Sequence, residues 1–231
     1  MQTAALVFTA LAPLLLWAAV RRWPTDRLRT IIRRTLAVAL LVFEIGELGE
    51  KMWLGEGLAN ALPMHLCDWV LLAVAAALWW QWQLGFELGY FWGLAGTIQA
   101  LLTPALDPNS AWWRQFAFFF AHALIVVSVL HLVITERCRP WPRSFLRLFI
   151  ASEIYVASAL AVNALVGANY GFLGHPPAQA SLLDHLSKMP WLYILEINAL
   201  AFIFFPLLYL PWLAWDFMAK RSPAASPIPP A

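Results

Sequence analysis

The segment from Trp113 to Ile134, WRQFAFFFAHALIVVSVLHLVI, decides the fold class of this chain. Apart from Arg114 and a few polar side chains, every residue in it is apolar. A helix needs roughly 20 mostly apolar residues to cross a bilayer, and this segment is long enough. It therefore predicts a transmembrane helix.

The composition of the whole chain agrees with this prediction. The 231 residues are 62% hydrophobic and only 12% charged, whereas a soluble domain carries about 25% charged residues. No soluble packing of this size hides so much apolar surface, so the chain is expected to be an integral membrane protein. Its net charge of +2 gives no electrostatic basis for a nucleic-acid partner. Cys67 and Cys138 form no disulfide framework or CxxC motif, and no cofactor is expected.

Segments of the same kind recur along the sequence and predict an all-α membrane protein, a bundle of about seven transmembrane helices. They cover residues 3–20, 35–53, 64–82, 86–106, 113–134, 146–167 and 191–216. Pro206 and Pro211 predict a kink or an early end in the last helix. Residues 1–218 are expected to form a single transmembrane helical domain. The segment 219–231 is rich in Pro, Ala and Ser and is expected to be a disordered cytoplasmic tail.

Basic residues fix the expected orientation, because cytoplasmic loops carry an excess of Lys and Arg. One side of the predicted bundle holds Arg21, Arg22, Arg27, Arg29, Arg33, Arg34, Arg137, Arg139, Arg143, Arg147, Lys220 and Arg221. The other side holds only Lys51, Arg114 and Lys188. Seven helices with the N-terminus outside and the C-terminus inside satisfy this distribution. We take the bacterial inner membrane as the expected location.

Polar side chains gather in the outer half of the predicted bundle. An ionisable group inside the hydrocarbon costs a few kcal/mol or more, so its position is informative about function. The outer half is expected to contain Glu44, Glu47, Glu50, His65, Cys67, Asp68, Gln99, Thr103, Gln115, His122, Asn163, Asn169, Tyr170, Tyr193, Glu196 and Asn198. The inner half has fewer such residues, namely Glu87, Ser128, His131, Glu153 and Asp216. This asymmetry predicts a polar cavity that opens outward.

Helical periodicity places some of these residues relative to one another. Glu44, Glu47 and Lys51 share one face of the second helix, so Glu47 can pair with Lys51. The carboxylates are either proton-relay groups of a transporter or simply partners of Lys51. His131 follows His122 by nine residues, which places it about 180° around the helix. It therefore faces a different direction and is expected near the inner arginines.

Gly85, Gly89 and Gly93 form a GxxxGxxxG stripe on the fourth predicted helix. Glycines at this spacing allow two helix backbones to approach closely. The stripe predicts a helix-packing face.

The segment PMHLCDW, from Pro63 to Trp69, is the strongest candidate for chemistry. Pro63 suits the first turn of a helix, which places Cys67 near a helix N-terminus that favours a reactive thiolate. Asp68 follows and can orient a histidine or an ammonium group. Alternatively, Cys67 is a small core residue, and His65 and Asp68 only set the start of the helix.

The candidate base for this cysteine is His122. His65 is closer in sequence but should face away from Cys67, because two residues along a helix turn it by about 200°. A nucleophile needs a base within hydrogen-bond reach, and His122 lies on a facing helix. Its alternative role is an interhelical hydrogen bond. A metal site from His65, Asp68 and His122 lacks the spacing of known sites, and no metal is expected.

Several blocks of the sequence resemble the YwaF-like family of integral membrane proteins. They are ALPMHLCDW (61–69), YFWGLAGTIQALLTP (90–104), QFAFFFAHALIV (115–126), VNALVGANYGFL (162–173) and SLLDHLSKMPWLY (181–193). The resemblance covers about residues 40–215 and implies a multi-helix membrane fold. Animal relatives are regarded as acyltransferases of ether phospholipids. They are distantly similar to androgen-induced lipid hydrolases, which pair a Thr nucleophile with a His.

By position, the resemblance implies that Cys67 is the nucleophile and His122 its partner. The run HLSKMPWLY departs from the Gly-Pro-Trp-Pro-like run expected before the last helix, which affects the outer loop rather than the pair. In a lipid acyltransferase or hydrolase, Gln99, Asn163 and Asn169 are expected to steady the oxyanion or the headgroup.

Two other functions remain open at this point. A transporter or channel for a small polar solute or protons would use the same cavity, including Glu44, Glu47 and Glu196. A non-catalytic membrane scaffold would separate Cys67 from His122 by packed side chains. A closed inner half of the bundle favours an enzyme or receptor, whereas a polar path to the inner face favours transport. Membrane lipids are the expected solvent and substrate.

Overall fold

The structure of the protein is a computed structural model, which describes residues 1–107 and 109–221. Helices form almost all of its regular structure. Within these residues there is no β-strand. The α-helices are α1 (Gln2–Arg22), α2 (Asp26–Trp53), α3 (Leu58–Ala61), α4 (Leu66–Trp80), α5 (Gln83–Leu88), α6 (Ile98–Leu102), α7 (Trp112–Ile134), α8 (Ser144–Val166) and α9 (Pro190–Arg221). A wider π-helix, Gly89–Thr97, joins α5 to α6, and two short 3-10 turns cover Tyr170–Phe172 and Leu182–His185. Of the predicted tail, 219–221 end α9, and 222–231 lie outside the described residues.

Four of the described helices are long and apolar enough to cross a membrane: α1, α7, α8 and residues Pro190–Met218 of α9. The shorter α4 is also apolar. The predicted all-helical membrane class is therefore confirmed. A count of seven crossings additionally requires α2, which is rich in charged residues, α4 and the helical stretch 83–102. That count stays a prediction.

The interior of the bundle is apolar and centres on α4. This helix packs against α2, α5, the π-helix and α7, while α1 packs on the other side of α7. Leu40, Val74, Phe91 and Ile125 are at most 1% exposed in this core. By contrast, α8 and α9 expose much of their apolar surface, as expected of helices that face lipid.

The helices alternate in direction, so the bundle has two distinct ends. At the site end, α2, α6 and α8 end, and α4, α7 and α9 begin. At the arginine-rich end, the α1–α2 and α7–α8 connections meet: Arg29 donates to the Thr135 carbonyl at 2.9 Å. His131 lies at this end, with Nε2 3.8 Å from Glu136, which confirms the prediction that it sits near the arginines.

Two of the acidic residues predicted in the inner half, Glu87 and Asp216, are paired with arginines of that end. Arg147 donates to Glu87 at 2.6 Å, and Arg139 donates to both carboxylate oxygens of Asp216, at 3.0 and 2.8 Å. Glu87 is fully buried. Such pairing lowers the cost of placing a carboxylate in a low-dielectric region.

The last helix does not end early. α9 continues as a helix through Pro206 and Pro211 to Arg221, so the predicted early end is wrong. Each proline removes one backbone hydrogen bond and leaves a carbonyl without its helical partner. In a membrane no water is available for that carbonyl, so the chain gains nothing by leaving the helix, and neighbouring groups provide hydrogen bonds for the freed carbonyl.

The glycine stripe is a close packing face, as predicted. A β-carbon at Gly85 would lie 2.6 Å from the carbonyl oxygen of Ala73 on α4. A β-carbon at Gly89 would overlap the side chain of Val74, and one at Gly93 would lie 3.3 Å from Val70. The absence of side chains on this stripe therefore sets the distance between α4 and the helix that starts at Gln83.

We expect Gly85→Ala to lower the free energy of unfolding by about 1–3 kcal/mol, because the added methyl group meets backbone rather than a movable side chain. Thermal unfolding in detergent measures the change. Gly46→Ala is the matched control, since nothing lies within 4 Å of a β-carbon there, and a helical Gly→Ala change should be slightly stabilising. Equal midpoints for the two variants would contradict the packing role.

Candidate functional site

The start of α4 organises the polar cluster at the site end. His65 is the residue before the first helical position, and its backbone N–H donates to Asp68 Oδ2 at 2.8 Å. A carboxylate three residues into a helix commonly satisfies an N–H of the cap in this way. Asp68 is buried, so one of its oxygens is committed to fixing the helix start.

The second oxygen of Asp68 accepts a hydrogen bond from the Cys67 thiol, with 3.6 Å between Sγ and Oδ1. The sulfur therefore keeps its proton in this arrangement and points at a carboxylate. Glu44 and Glu47 also act electrostatically on Cys67. The helix N-terminus was expected to favour a preformed thiolate, but the thiol donates to a carboxylate instead, so attack requires proton transfer to a base.

His122 is held in one orientation by its own helix. Its Nδ1 lies 2.7 Å from the Phe118 carbonyl oxygen, and the ring packs on Phe118 with 4.2 Å between centroids. A carbonyl only accepts hydrogen bonds, so in the neutral ring Nδ1 carries the proton and Nε2 is the acceptor. Among the described residues Nε2 has no hydrogen-bond partner. This tautomer is the one that a general base needs.

Glu47 connects the two candidate residues. It acts electrostatically on both Cys67 and His122, and it pairs with Lys51 at 2.6 Å, as predicted from their spacing. Cys67 and His122 make no hydrogen bond with each other in the structure, where the thiol donates to Asp68 and His122 Nδ1 donates to the Phe118 carbonyl. Their pairing as nucleophile and base therefore stays a prediction.

A small cleft lies beside this cluster. Its volume is about 10 Å³, it is partly open to solvent, and it is lined by Glu44, Glu47, Leu48, Lys51, Ala61, Pro63 and Asp68. Three carboxylates and one ammonium therefore meet at its walls. Within the described residues, no group of three or more His, Cys, Asp or Glu side chains has the arrangement of a metal site.

Tyr170 fastens the loops that cover the start of α4. Its hydroxyl donates to the Leu58 carbonyl and accepts from the Leu62 N–H, both at 2.9 Å. Asn163 holds the Tyr170 backbone on both sides, accepting from its N–H at 2.7 Å and donating to its carbonyl at 3.0 Å. The His65 ring packs edge-on against Tyr170, with 5.1 Å between the ring centroids.

Other residues predicted to line the cavity serve the surrounding loops. Asn169 binds the backbone of Gly174 and His175, and Glu196 accepts from the Ser187 N–H at 2.6 Å. Gln99 lies half-buried on α6. The side-chain amides of Asn163 and Asn169 are thus committed to loop contacts rather than turned toward the cleft.

Tyr155, on α8, also belongs to the cluster and was not predicted. Its hydroxyl donates to the Met64 carbonyl at 3.2 Å, and it interacts electrostatically with Cys67 and Asp68. Its ring packs against Trp69 and Trp92. The one available signal in the sequence is a hydroxyl group within an apolar span.

Two salt bridges made by one arginine connect helices at the same end of the bundle. Arg114, in the first turn of α7, contacts Glu50 at 2.9 Å and Glu56 at 2.8 Å. The indole of Trp113 also donates to Glu50, at 2.7 Å. These contacts tie the end of α2 to the start of α7, the helix that carries His122.

The chain matches the TMEM164 family over residues 1–209, which includes every residue of the cluster. The chain belongs to the TMEM164 family. It is also similar to an uncharacterized protein of Treponema pallidum (strain Nichols), with 29% identity over 192 residues, 80% of this chain and 77% of the relative. No solved structure matches it.

Membership of the TMEM164 family and the apolar helices together indicate an integral membrane protein. Membership of this family does not by itself assign an activity. The YwaF-like resemblance and the roles that it implies for Cys67 and His122 therefore stay predictions.

We expect Tyr170→Phe to destabilise the site end by about 1–3 kcal/mol, because the change leaves the Leu62 N–H and the Leu58 carbonyl without their partner. The thermal unfolding midpoint should fall while the helix content at low temperature is kept. An unchanged midpoint would show that these backbone groups are satisfied without the tyrosine.

Proposed function

We propose that this TMEM164-family protein is a membrane-embedded lipid acyltransferase or lipid hydrolase that uses Cys67 as its nucleophile and His122 as its base. The observation that carries the proposal is the Cys67 thiol, hydrogen-bonded to Asp68, together with His122, whose Nε2 is the unprotonated ring nitrogen; Glu47 acts electrostatically on both residues. A nucleophile, an orienting carboxylate and a base of the right tautomer are the parts that acyl transfer requires.

The proposed reaction has two steps. Cys67 Sγ attacks the carbonyl carbon of a lipid ester while its proton passes to His122 Nε2. The C–O bond of the ester then breaks, and the leaving alkoxide takes that proton from His122, leaving a thioester on Cys67. In the second step, His122 removes a proton from a lysolipid hydroxyl or from water, which attacks the thioester, and Cys67 regains its proton. The acceptor decides between transferase and hydrolase.

Asp68 has the orienting role in this scheme. In the structure it accepts the thiol hydrogen bond, so it aims Sγ and holds its proton in place. The thiol must exchange this acceptor for His122 Nε2 when a lipid is bound. Catalytic hydrogen bonds are often long or unformed without substrate and tighten in the complex.

The bundle interior favours an enzyme over a transporter. Below the cluster, Leu40, Val74, Phe91 and Ile125 form a buried apolar layer. On α7, the five residues after His122 are all apolar before Ser128. A transport path needs polar groups across the bundle, whereas an acyl-transfer site needs polarity only where the ester lies.

Finer features of the topology belong to the same proposal. We infer seven crossings, with the N-terminus outside and the C-terminus inside a bacterial inner membrane, and a YwaF-like relationship. The concentration of arginines at one end of the bundle supports this orientation. The site end then faces outward, in agreement with the outward cavity expected from the sequence.

Trapping of the acyl-enzyme tests the proposal. We expect full-length protein, reconstituted with a phospholipid whose acyl chain carries an alkyne, to acquire a hydroxylamine-sensitive label. Cys67→Ala should abolish the label and lower lipid turnover by roughly 10³-fold or more. His122→Gln should lower turnover by about 10²–10⁴-fold, the contribution of a general base.

Cys138→Ser is the matched control for this experiment. Burial, with the charge of Glu136, raises the pKa of the Cys138 thiol to about 11. Cys138 lies in the α7–α8 connection at the arginine-rich end, remote from His122, so the control should keep full labelling. Labelling that survives in Cys67→Ala, or turnover that is unchanged in it, would contradict the proposal.

The cleft lined by Glu44, Glu47, Lys51 and Asp68 is the observation that favours the alternative, transport of a small polar solute or protons. This alternative predicts that proteoliposomes show a proton flux, read with a trapped pH dye, that Glu47→Gln reduces at least about tenfold, since a relay carboxylate cannot be replaced by an amide. A non-catalytic scaffold predicts neither flux nor acyl-enzyme. Flux that is independent of Glu47 would rule out the relay.

A further inference from the structure

The proposed reaction gives no role to Tyr155, the buried tyrosine that α8 contributes to the site end. Tyr155 is only 4% exposed, and it interacts electrostatically with Cys67 and Asp68. A hydroxyl group buried in an apolar span needs a hydrogen-bond partner, because leaving that bond unmade costs free energy. The partner that the Tyr155 hydroxyl has is therefore informative about its role.

Tyr155 contacts the start of α4 at two places. Its hydroxyl donates to the Met64 carbonyl at 3.2 Å, and Met64 lies two residues before Leu66, the first residue of the helix. Its ring packs edge-on against Trp69, with 5.4 Å between the ring centroids. Cys67 lies between Met64 and Trp69 in the sequence. One side chain from a distant helix thus contacts the chain on both sides of the thiol.

The neighbours of Tyr155 hold its side chain in place. Its ring packs against Trp92 of the π-helix, with 5.8 Å between centroids, and the Trp92 indole donates to Ser152, three residues earlier on α8, at 3.0 Å. On another side, the backbone of Gly171 approaches the hydroxyl so closely that a β-carbon there would lie 2.5 Å from Tyr155 Oη. The hydroxyl is therefore confined, and it can fix the position of the carbonyl to which it donates.

Asp68 supports the same turn from within α4, but its contribution changes during the proposed reaction. It accepts from the backbone N–H of the residue before the helix, at 2.8 Å, and from the Cys67 thiol. When the thiol passes its proton to His122, the sulfur carries negative charge beside that carboxylate, and like charges repel. The bond from Tyr155 to the Met64 carbonyl involves neither charge, so it continues to hold the turn in this step.

We propose that Tyr155 is a positioning residue for Cys67: through the Met64 carbonyl and the Trp69 ring, it fixes the first turn of α4 at the place from which the sulfur attacks. This inference rests on the proposed acyl-transfer function and extends it to a residue of α8. Tyr155 has no contact with the lipid in this role. It acts only through the segment that carries the nucleophile.

The reactivity of the Cys67 thiol in Tyr155→Phe tests the inference without any need for turnover. This change removes the hydroxyl and keeps the ring, so the Met64 carbonyl loses its partner and the first turn of α4 should open more often. We expect N-ethylmaleimide to alkylate Cys67 about tenfold faster in the full-length variant, the effect of losing one buried hydrogen bond. Mass spectrometry of the Cys67 and Cys138 peptides measures both rates in the same molecules.

Cys138 is the internal reference, because it lies at the arginine-rich end and its alkylation reports on opening of the bundle as a whole. Tyr90→Phe is the matched control variant. Tyr90 is also buried, and its hydroxyl donates to the Leu208 carbonyl of α9 at 2.8 Å, so the same chemical change is made away from α4. This variant should keep the wild-type ratio of Cys67 to Cys138 alkylation.

Turnover of the alkyne phospholipid should change in the opposite direction. A displaced sulfur reacts more readily with a small reagent and less readily with an ester that is held in one place. We expect Tyr155→Phe to lower kcat by about 10- to 100-fold, the cost of a misplaced reacting group. KM should stay within about twofold of the wild type, because no contact with the lipid is removed.

An unchanged ratio of Cys67 to Cys138 alkylation in Tyr155→Phe would overturn the inference, whether or not Cys67 is catalytic. Equal acceleration at both cysteines would also overturn it, since Tyr155 would then stabilise the whole bundle. A raised ratio with an unchanged kcat would show that the held position does not serve the reaction. Absence of an acyl-enzyme in the wild type contradicts the proposed function instead, and the alkylation ratio then still decides whether Tyr155 holds Cys67.

Discussion

A hydrocarbon solvent offers no hydrogen bonds, and this constraint arranges the polar groups of the protein. Lys51 pairs with Glu47, Arg114 with Glu50 and Glu56, and Arg147 with Glu87. All of these pairs lie toward one end of the bundle or the other, and Leu40, Val74, Phe91 and Ile125 are buried between the ends. A charge left unpaired at the centre of the bundle would cost several kcal/mol. The ion pairs therefore lie at the two ends of the bundle, and the middle is filled by packed apolar side chains.

The central position of α4 depends on residues that have no side chain. Gly85, Gly89 and Gly93 let the following helix lie against α4, in contact with Ala73, Val74 and Val70. Close packing of small and β-branched residues is a main source of stability between helices in a membrane, where the hydrophobic effect does not drive association. Because α4 is held along its length in this way, its first turn is fixed, and with it the position of Cys67 and Asp68. Packing in the middle of the bundle thus helps to fix the positions of Cys67 and Asp68 at its end.

Local spacing was sufficient to predict the features that depend on one helix or on neighbouring helices. The Glu47–Lys51 pair, the glycine face and the position of His131 follow from the number of residues per turn. Contacts between distant loops could not be predicted in the same way. Tyr170 reaches Leu58 and Leu62, more than a hundred residues away, and no periodic pattern encodes that contact.

The candidate site shows the same division between local and distant information. The segment from His65 to Asp68 was correctly placed at a helix start, and His122 was placed in the same half of the bundle. The sequence did not reveal that Asp68 accepts the thiol hydrogen bond or that Asn163 is committed to the backbone of Tyr170. Those outcomes depend on side-chain rotamers and on loop closure, which composition and spacing do not determine.

The predicted early end of α9 was wrong because the rule for prolines describes helices in water, where a freed carbonyl can bind solvent.

The depth of Cys67 gives the site a physical relation to a lipid substrate. Cys67 is the second residue of α4, so its Cα lies only about 1.5 Å along the axis from that of the first helical residue. The helix start lies where the polar residues of the site end give way to the apolar core. In a bilayer, the ester groups of phospholipids occupy the corresponding boundary between headgroups and hydrocarbon. A lipid entering from the membrane can therefore present its ester carbonyl near the depth of the sulfur while its headgroup stays among the polar residues and its acyl chains stay in the hydrocarbon. Binding in that position would need little movement of the lipid out of the membrane, which is why a thiol at this level suits acyl transfer better than one at the centre of the bundle.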